Sequence, residues 1–540
     1  MENREEIKKK IKNMSEDELV DIIIEQQKYE AQLKWYKEQL SNLNKVRFSS
    51  SSEKMIHGQL NLFNEIEDIA DTTTVENENI TIIKKKKSKK KEADFSKLAT
   101  KVIDHRLEDI HCDICGTEMI ELAPIIIEVL KYEPARYFIE RHIIHQHLCK
   151  KCTDDNLEAE IVKAPGAPKR LIKGSYASAS VVSGIAFNKF VSGVPLYRQE
   201  QELTRKKVPI SRANMSNWLM RCCNDKIKPI YQLMCEDMRK SNHTHMDETS
   251  VVVLEDKKDS ERQKSYMWIA TTGKWEEKQM ALYFYHINRE YAFAKEIIGN
   301  NYSGNIHCDG YEAYRKFENA TVLGCLAHAR RRFVIAMEVD PLHKELKGKS
   351  EADKRQLISK NPSYSKILYV INEIKYLFEC EAKYIEKKYT PAQIELHRLE
   401  DQQKRVDELF IYLEKRQFEF LPKSKMGMAI SYALNLKNDL TNYLKDGKAE
   451  ISNNRGERCV KPFVIGRKNW LFCNTKSGAE CSSIYYSIIE SAKMNHLDIH
   501  KYLEYLLEQL TQIENPTETD LQRLLPYSKQ LPASLKFDNI

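Results

Sequence analysis

His245-Met246-Asp247-Glu248-Thr249, running on into Ser250-Val251-Val252-Val253-Leu254, is the stretch on which the fold turns. The second half is β-branched and apolar, the composition of a strand, which puts Asp247 at the point where the chain enters it. A charged turn, Glu255 to Lys264, leads to a second strand-like stretch, Tyr266 to Thr272, and Met280 to His286 reads as a third. Consecutive strands usually neighbour one another, so three in succession imply an antiparallel meander. A helix (Glu290 to Ile298) and a short strand (Asn305 to Cys308) then reach Asp309, with Gly310 letting the chain turn away. One carboxylate thus lies on the first strand and another at the end of a later one, the way an RNase-H-like sheet would gather two acids. Glu248 adjoins Asp247, but strand alternation points its side chain to the other face.

C-terminal to this sheet, about Lys344 to Gly447 reads as long charged helices with Leu, Ile and Tyr at helical spacing. It is expected to be a helical insertion packed beside the core, which resumes over 448–510. N-terminal to the sheet, Tyr176 to Cys223 is helical in pattern. Lys189-Phe190-Val191-Ser192-Gly193-Val194-Pro195-Leu196-Tyr197-Arg198 leads to Val208-Pro209-Ile210-Ser211-Arg212. Ser211 can cap a helix from Arg212 to Met220 whose Trp218 and Leu219 suit an inner face. Two short helices joined by a turn, the second opening on polar and basic residues, fit a helix-turn-helix DNA reader over 170–238; a plain helical hairpin is the alternative.

Further towards the N-terminus, Cys112 with Cys115 and Cys149 with Cys152 form two Cys-x-x-Cys pairs. Each pair can place two thiolates on one zinc ion, and together they supply four tetrahedral ligands with no open position for catalysis. Structural zinc in a module spanning 101–165 is the expectation, with His111, His142, His145 and His147 nearby. Thirteen cysteines without an apolar export signal also point to metal ligands and buried thiols rather than a disulfide framework. Before this module, Lys84 to Lys91 is lysine except for Ser88, and Glu65 to Glu78 is acidic. The 47–100 stretch therefore reads as a disordered basic linker, a solvated tether that can also touch phosphates. Leu19, Ile22, Gln26, Tyr29, Leu33, Tyr36, Leu40 and Leu43 alternate steps of three and four behind a Ser15–Glu18 capping box. The 15–46 helix is read as a self-associating coiled coil in preference to one packed on its own chain. Net charge is +7 with clustered basic residues, which suits a polyanionic partner. No apolar run approaches the ~18–20 residues that span a bilayer, and a cytoplasmic location without a membrane partner is expected.

Five motifs carry a resemblance. They are Asp247-Glu248-Thr249; Asp309-Gly310-Tyr311-Glu312-Ala313-Tyr314; Gly324-Cys325-Leu326-Ala327-His328-Ala329-Arg330-Arg331-Arg332-Phe333; Asn453-Asn454-Arg455-Gly456-Glu457-Arg458; and Gly466-Arg467-Lys468-Asn469-Trp470-Leu471-Phe472. Together the chain resembles the IS66 family of bacterial insertion-sequence transposases, which have a DDE-type catalytic core. Ser452 stands where the family usually has aspartate, and Lys461-Pro462 replaces an Arg-Pro step. The resemblance implies that Asp247, Asp309 and Glu457 are the catalytic acids, holding magnesium (or manganese). Phosphodiester transfer puts charge on attacking and leaving oxygens, which paired hard cations stabilise and carboxylates bind well.

The expected protein is thus a multidomain α/β chain: coiled coil, zinc module, helix-turn-helix, and an RNase-H-like mixed sheet core (239–343 and 448–510) interrupted by the helical insertion, with a 511–540 tail. Its expected reaction is metal-dependent cleavage of element ends and strand transfer into target DNA. Candidate DNA contacts are Arg198, Arg212, Arg330, Arg331, Arg332, Arg467 and Lys468, with Trp470 either a base-stacking surface or a core residue. Partners are element-end and target DNA and a second copy through the coiled coil, and the resemblance leaves room for helper proteins of the same element. A silent DNA-binding regulator or transposase relic, and a nuclease that never joins strands, are the competing readings.

Overall fold

The structure, a computed structural model, describes residues 137–143, 146–148, 161–163, 168–259 and 265–537. The coiled-coil segment, the basic linker and the four expected zinc ligands Cys112, Cys115, Cys149 and Cys152 lie outside the described residues. From the cysteine module, an antiparallel pair is described, β1 (Gln146–Leu148) with β2 (Ile161–Lys163). It belongs to one contact unit, and residues 165–537 belong to another.

In the second unit, β3 (His243–Val251), β4 (Ser265–Thr272), β5 (Ala281–His286), β6 (Asn305–Cys308) and β7 (Thr321–Gly324) make one mixed sheet in the order β5-β4-β3-β6-β7. The first three form an antiparallel meander, and β6 and β7 run parallel to β3. β4 and the first half of β5 are buried almost throughout, because helices cover the sheet. Two boundaries differ from expectation. β3 starts at His243 and stops at Val251, so Asp247 sits mid-strand, paired with Ile269 of β4, and not at the strand's start. His243, Thr244 and His245 are polar, yet they are buried and supply ladder positions to β4 and β6. The apolar tail of the quoted run leaves the sheet instead, and Leu254–Asp259 winds into a short helix where a turn was expected.

Both sheet edges are closed by side chains from later in the chain. α1 (Ala179–Phe190), α2 (Leu196–Arg205), α3 (Arg212–Cys222) and α4 (Lys228–Arg239) precede the sheet, and α5 (Tyr291–Ile298) lies between β5 and β6. Ser211 accepts a hydrogen bond from Asn214 N at 3.2 Å, and Trp218 and Leu219 are buried, as the sequence pattern suggests. After β7 come α6 (Leu326–Val339), α7 (Pro362–Glu386), α8 (Gln403–Arg416), α9 (Lys425–Asn435), α10 (Asn454–Trp470), α11 (Lys476–Met494) and α12 (Ile499–Gln512). α11 lies along β5. Ser487 Oγ accepts from Tyr283 N at 2.8 Å and Ser491 Oγ from Ala281 N at 3.0 Å. These serines are four residues apart, hence on one helix face, and they satisfy the outward N–H groups of an edge strand that would otherwise template aggregation. At the other edge Asn442 Nδ2 donates to Val322 O at 3.0 Å.

Among the described residues two large hydrophobic cores form, with two small clusters beside the second. One fills the sheet and the helices before and after it, and takes in Leu521, Leu524 and Leu525 near the C-terminus. The other joins α6, α7, α8 and α9 through Phe333, Val370, Leu377, Leu413 and Ile430, and continues into Leu323 of β7 and Ile451. Arg398 is 2% exposed at the back of this second core. Its guanidinium grips both Glu381 oxygens (2.8 and 2.6 Å) and the carbonyls of Tyr443, Asp446 and Ala449 (2.7–2.8 Å). Arg398→Ala should strand Glu381 and those carbonyls and destabilise the fold by roughly 3–5 kcal/mol. Arg398→Lys should not restore it, because an ammonium lacks the planar fork. Denaturant midpoints check this: an unshifted midpoint in the alanine variant removes Arg398 from the fold's support.

Candidate active site

The site is assembled where β3, the end of β6 and the first turn of α10 meet. On a strand, residues two apart share a face, so His245 and Asp247 point the same way; on a helix, Asn453 and Glu457 share a face one turn apart. The two faces meet. Asn453 Nδ2 donates to Met246 O at 2.9 Å, and its Oδ1 lies 2.9 Å from His245 Nδ1. Its backbone N–H donates to Cys325 Sγ at 3.2 Å. With the first half of each pair locked together, Glu457 is carried to Asp247.

Asp309 arrives from the end of β6. Gly310 takes φ +90°, a left-handed conformation that glycine adopts without penalty. A Cβ there would fall 2.7 Å from Leu436 Cδ1. Tyr311 N donates to Asp309 Oδ1 at 3.0 Å, and Tyr432 Oη to its carbonyl at 2.6 Å. Asp247, Asp309 and Glu457 are therefore brought together. Burial first, then the charges of Glu248, Asp309 and Glu457, push the Asp247 carboxyl well above its ordinary range, against one hydrogen bond from Glu248 N at 2.8 Å.

The neighbours partly balance this charge. Glu248 accepts from Tyr314 Oη at 2.5 Å and is paired with the Arg289 guanidinium, which also lies 4.0 Å from Asp309 and stacks 3.8 Å over Tyr311. Glu457 has His328 Nδ1 at 3.4 Å and Arg331 Nη2 at 3.7 Å, both from α6. Burial pushes the His328 imidazole below its usual value, with Glu457 pulling the other way. Glu457 Oε1 is buried and accepts no hydrogen bond. A converging set of carboxylates with such an orphaned oxygen fits a hard divalent cation. Cys325, His328 and Glu457 also offer ligand atoms within 4.8 Å of one another. Burial pushes the Cys325 thiol up to about 12, and its sulfur already accepts from Asn453, so it serves the fold better than a metal.

Of the basic candidates, Arg331 reaches Glu457, while Arg332 stacks 4.0 Å over Tyr432 and Arg330 is half-buried on the same helix. Arg467 is half-buried and donates to Thr249 Oγ1 at 3.2 Å and to Ser250 O, on the acid-bearing strand. Lys468 is exposed; Trp470 is half-buried, edge-on to Phe463 at 5.6 Å. Arg198 and Arg212 are exposed on α2 and α3 and contact none of the acids; Arg212 lies 5.8 Å from the Tyr197 ring.

Several supporting residues escape a reading of the sequence. His245 Nε2 lies 2.8 Å from Glu450 Oε2, and its ring stacks on His307 at 4.0 Å. Burial alone would raise the Glu450 carboxyl, but His245 and Arg455 overcome it and hold it well below normal. His243 Nε2 lies 3.0 Å from Asp446, whose carboxyl is held at about 2, chiefly by that hydrogen bond. The signal available was positional: histidines two and four residues before Asp247, and an asparagine four before Glu457.

Residues 174–481 match the Transposase IS66 family, and residues 487–527 match the IS66 C-terminal element. The chain belongs to the IS66 transposase family. It is 27% identical over 378 residues to the uncharacterized protein y4qI of Sinorhizobium fredii (strain NBRC 101917 / NGR234), a match covering 67% of this chain and 64% of that protein. The uncharacterized protein y4jD of the same strain is 25% identical over 437 residues, covering 77% of this chain and 78% of its own. The chain thus spans somewhat less than two thirds of the first relative's length. No solved structure matches.

Asn453→Ala should take from His245 Nδ1 and from the Met246 carbonyl the partner this carboxamide supplies and lower stability by roughly 1–3 kcal/mol. Urea titration of the two proteins tests it; coincident curves would mean that something other than this carboxamide seats α10 on β3.

Proposed function

We propose that the protein is a DDE-type DNA transposase that cuts the ends of its element and joins them to target DNA at Asp247, Asp309 and Glu457. The observation that carries this is the convergence of the three acids in a member of the IS66 transposase family. The strand order β5-β4-β3-β6-β7, with a meander and two parallel strands, supports an RNase-H-like core. Magnesium or manganese held by the three carboxylates would stabilise charge on the attacking and leaving oxygens. Arg289 pairs with Glu248 and approaches Asp309, and Arg331 approaches Glu457, which leaves Asp247 as the least compensated of the three acids. His328 and Arg331 flank Glu457 and hold its orientation. Exposed Arg198 and Arg212 on α2 and α3, along with Arg330, Arg332, Arg467 and Lys468, are assigned to phosphate contacts outside the reacting bond. Trp470 is assigned to packing, because its ring lies against Phe463. Cys112, Cys115, Cys149 and Cys152 are assigned to one structural zinc, and the 15–46 segment to self-association that would hold two DNA ends together.

Purified protein incubated with element-end DNA, target DNA and magnesium or manganese should give nicked ends and joined product. Asp247→Asn should reduce both to background, and Arg331→Ala should reduce them about 10–100-fold, as loss of a group that orients a metal ligand does. Cleavage without joined product would make the protein a nuclease, absence of cleavage a DNA-binding regulator, and full activity in Asp247→Asn would remove the acids from the chemistry. Metal analysis of the same preparation should find about one zinc per chain, lost in a Cys112→Ser, Cys149→Ser variant. Equal zinc in both would overturn the four-cysteine assignment.

A further inference from the structure

A groove of about 400 Å³ opens between α10 and the turn joining α1 to α2. Arg458, Lys461 and Ile465 line it at helical intervals, with Pro462 between them, and so form one face of α10. Lys493 of α11 completes the basic rim; it pairs with Glu490 at 2.7 Å. Arg458 is exposed, and Ile465 is 53% exposed, an aliphatic side chain held in the open beside cations. Val191 and Gly193 supply the opposite wall. Gly193 has φ +68°, and a Cβ on it would fall 2.6 Å from Asn469 Nδ2, so the turn closes directly onto the end of α10.

Polar groups of another kind lie beneath the groove. Lys189 lies 5.4 Å from the Phe190 ring and 5.7 Å from the Trp470 ring, with no carboxylate against it among the described residues. Trp470 Nε1 and Tyr486 Oη meet around Gly466, a groove residue, and neither has another partner. If the indole N–H donates, the tyrosine O–H is left with no acceptor.

We propose that this groove binds a single-stranded segment of DNA next to the bond cut at the acids. Sugar–phosphate would lie against Arg458, Lys461 and Lys493, and a base against Val191, Pro462 and Ile465. The inference rests on the transposase reading for its source of DNA. Its size is that of a small-ligand site, ~300–1,000 Å³, which admits a nucleotide or two and no duplex. Cations beside an apolar wall are how sequence-tolerant single-strand sites are built. Arg458 follows Glu457 directly, so a strand at the acids needs only to continue around α10 to reach the groove.

The test uses the full chain carrying Asp247→Asn, a fluorescein-labelled oligodeoxythymidylate and a blunt duplex of the element end. Adding Arg458→Ala with Lys461→Ala should weaken single-strand binding at least about tenfold and reduce its log–log salt slope by about 1.4, the share of two phosphate contacts on a single strand. Duplex affinity should hold. Ile465→Glu, at a position 53% exposed, should selectively weaken the single-strand probe. Equal losses with both probes, or none with the oligonucleotide, overturn the groove. Cleavage of element ends by the parent protein is read separately. If it fails while single-strand binding stays groove-dependent, the transposase reading falls and the groove stands; if it succeeds without groove dependence, the reverse holds.

Discussion

Asn453 is the joint on which the rest depends. Its carboxamide spans from the start of α10 to the Met246 carbonyl and the His245 ring, residues 207 and 208 positions earlier in the chain. A contact that distant in sequence cannot draw on local propensity, and the loop it closes carries an entropic cost that grows slowly with length. Here the loop itself holds the other four strands of the sheet and the packed helical core, which makes the closure less demanding than its length suggests. Arg398 pins the carbonyls of 443–449, His243 takes Asp446, and His245 takes Glu450. The chain is thus registered step by step before it reaches Asn453 and Glu457.

That registration lets a repulsive arrangement survive. Bringing Asp247 beside Glu248, Asp309 and Glu457 under burial disfavours the ionised form, the condition under which a carboxyl's proton affinity climbs. Such clusters persist only where the surrounding structure over-determines them. The cations that do approach are peripheral: Arg289 is spent on Glu248, and Arg331 sits 3.7 Å from Glu457. The centre is left electronegative, and that is the property a cation site requires.

How much of this was legible from the residues follows from the range of each interaction. β4, β5 and β6 lie within a residue of where alternation and β-branching put them, because those signals are local. β3 began earlier than expected, since His243, Thr244 and His245 earn their strand positions through buried partners on other elements. β7, four residues long, carries too little pattern to stand out. Asp309 before Gly310 and Asp247 on a strand could be singled out by motif, but Asn453, Glu450 and His307 act only across the chain, and no window of sequence displays that. Ser211 as a helix cap was legible for the opposite reason, since its partner is three residues away.

The helices between β7 and α10 are more than a spacer. α6 carries His328 and Arg331 to Glu457, and it is held by the same hydrophobic core as α9. α9 in turn places Tyr432, which donates to the Asp309 carbonyl and receives Arg332 on its ring, and Leu436 closes against Gly310 just beyond it. Two of the three acids therefore depend on this helical core for their surroundings, and the third faces them from β3. A shift of α9 against α6 would move the support of Asp309 and Glu457 together, so these helices act as the rear wall of the site.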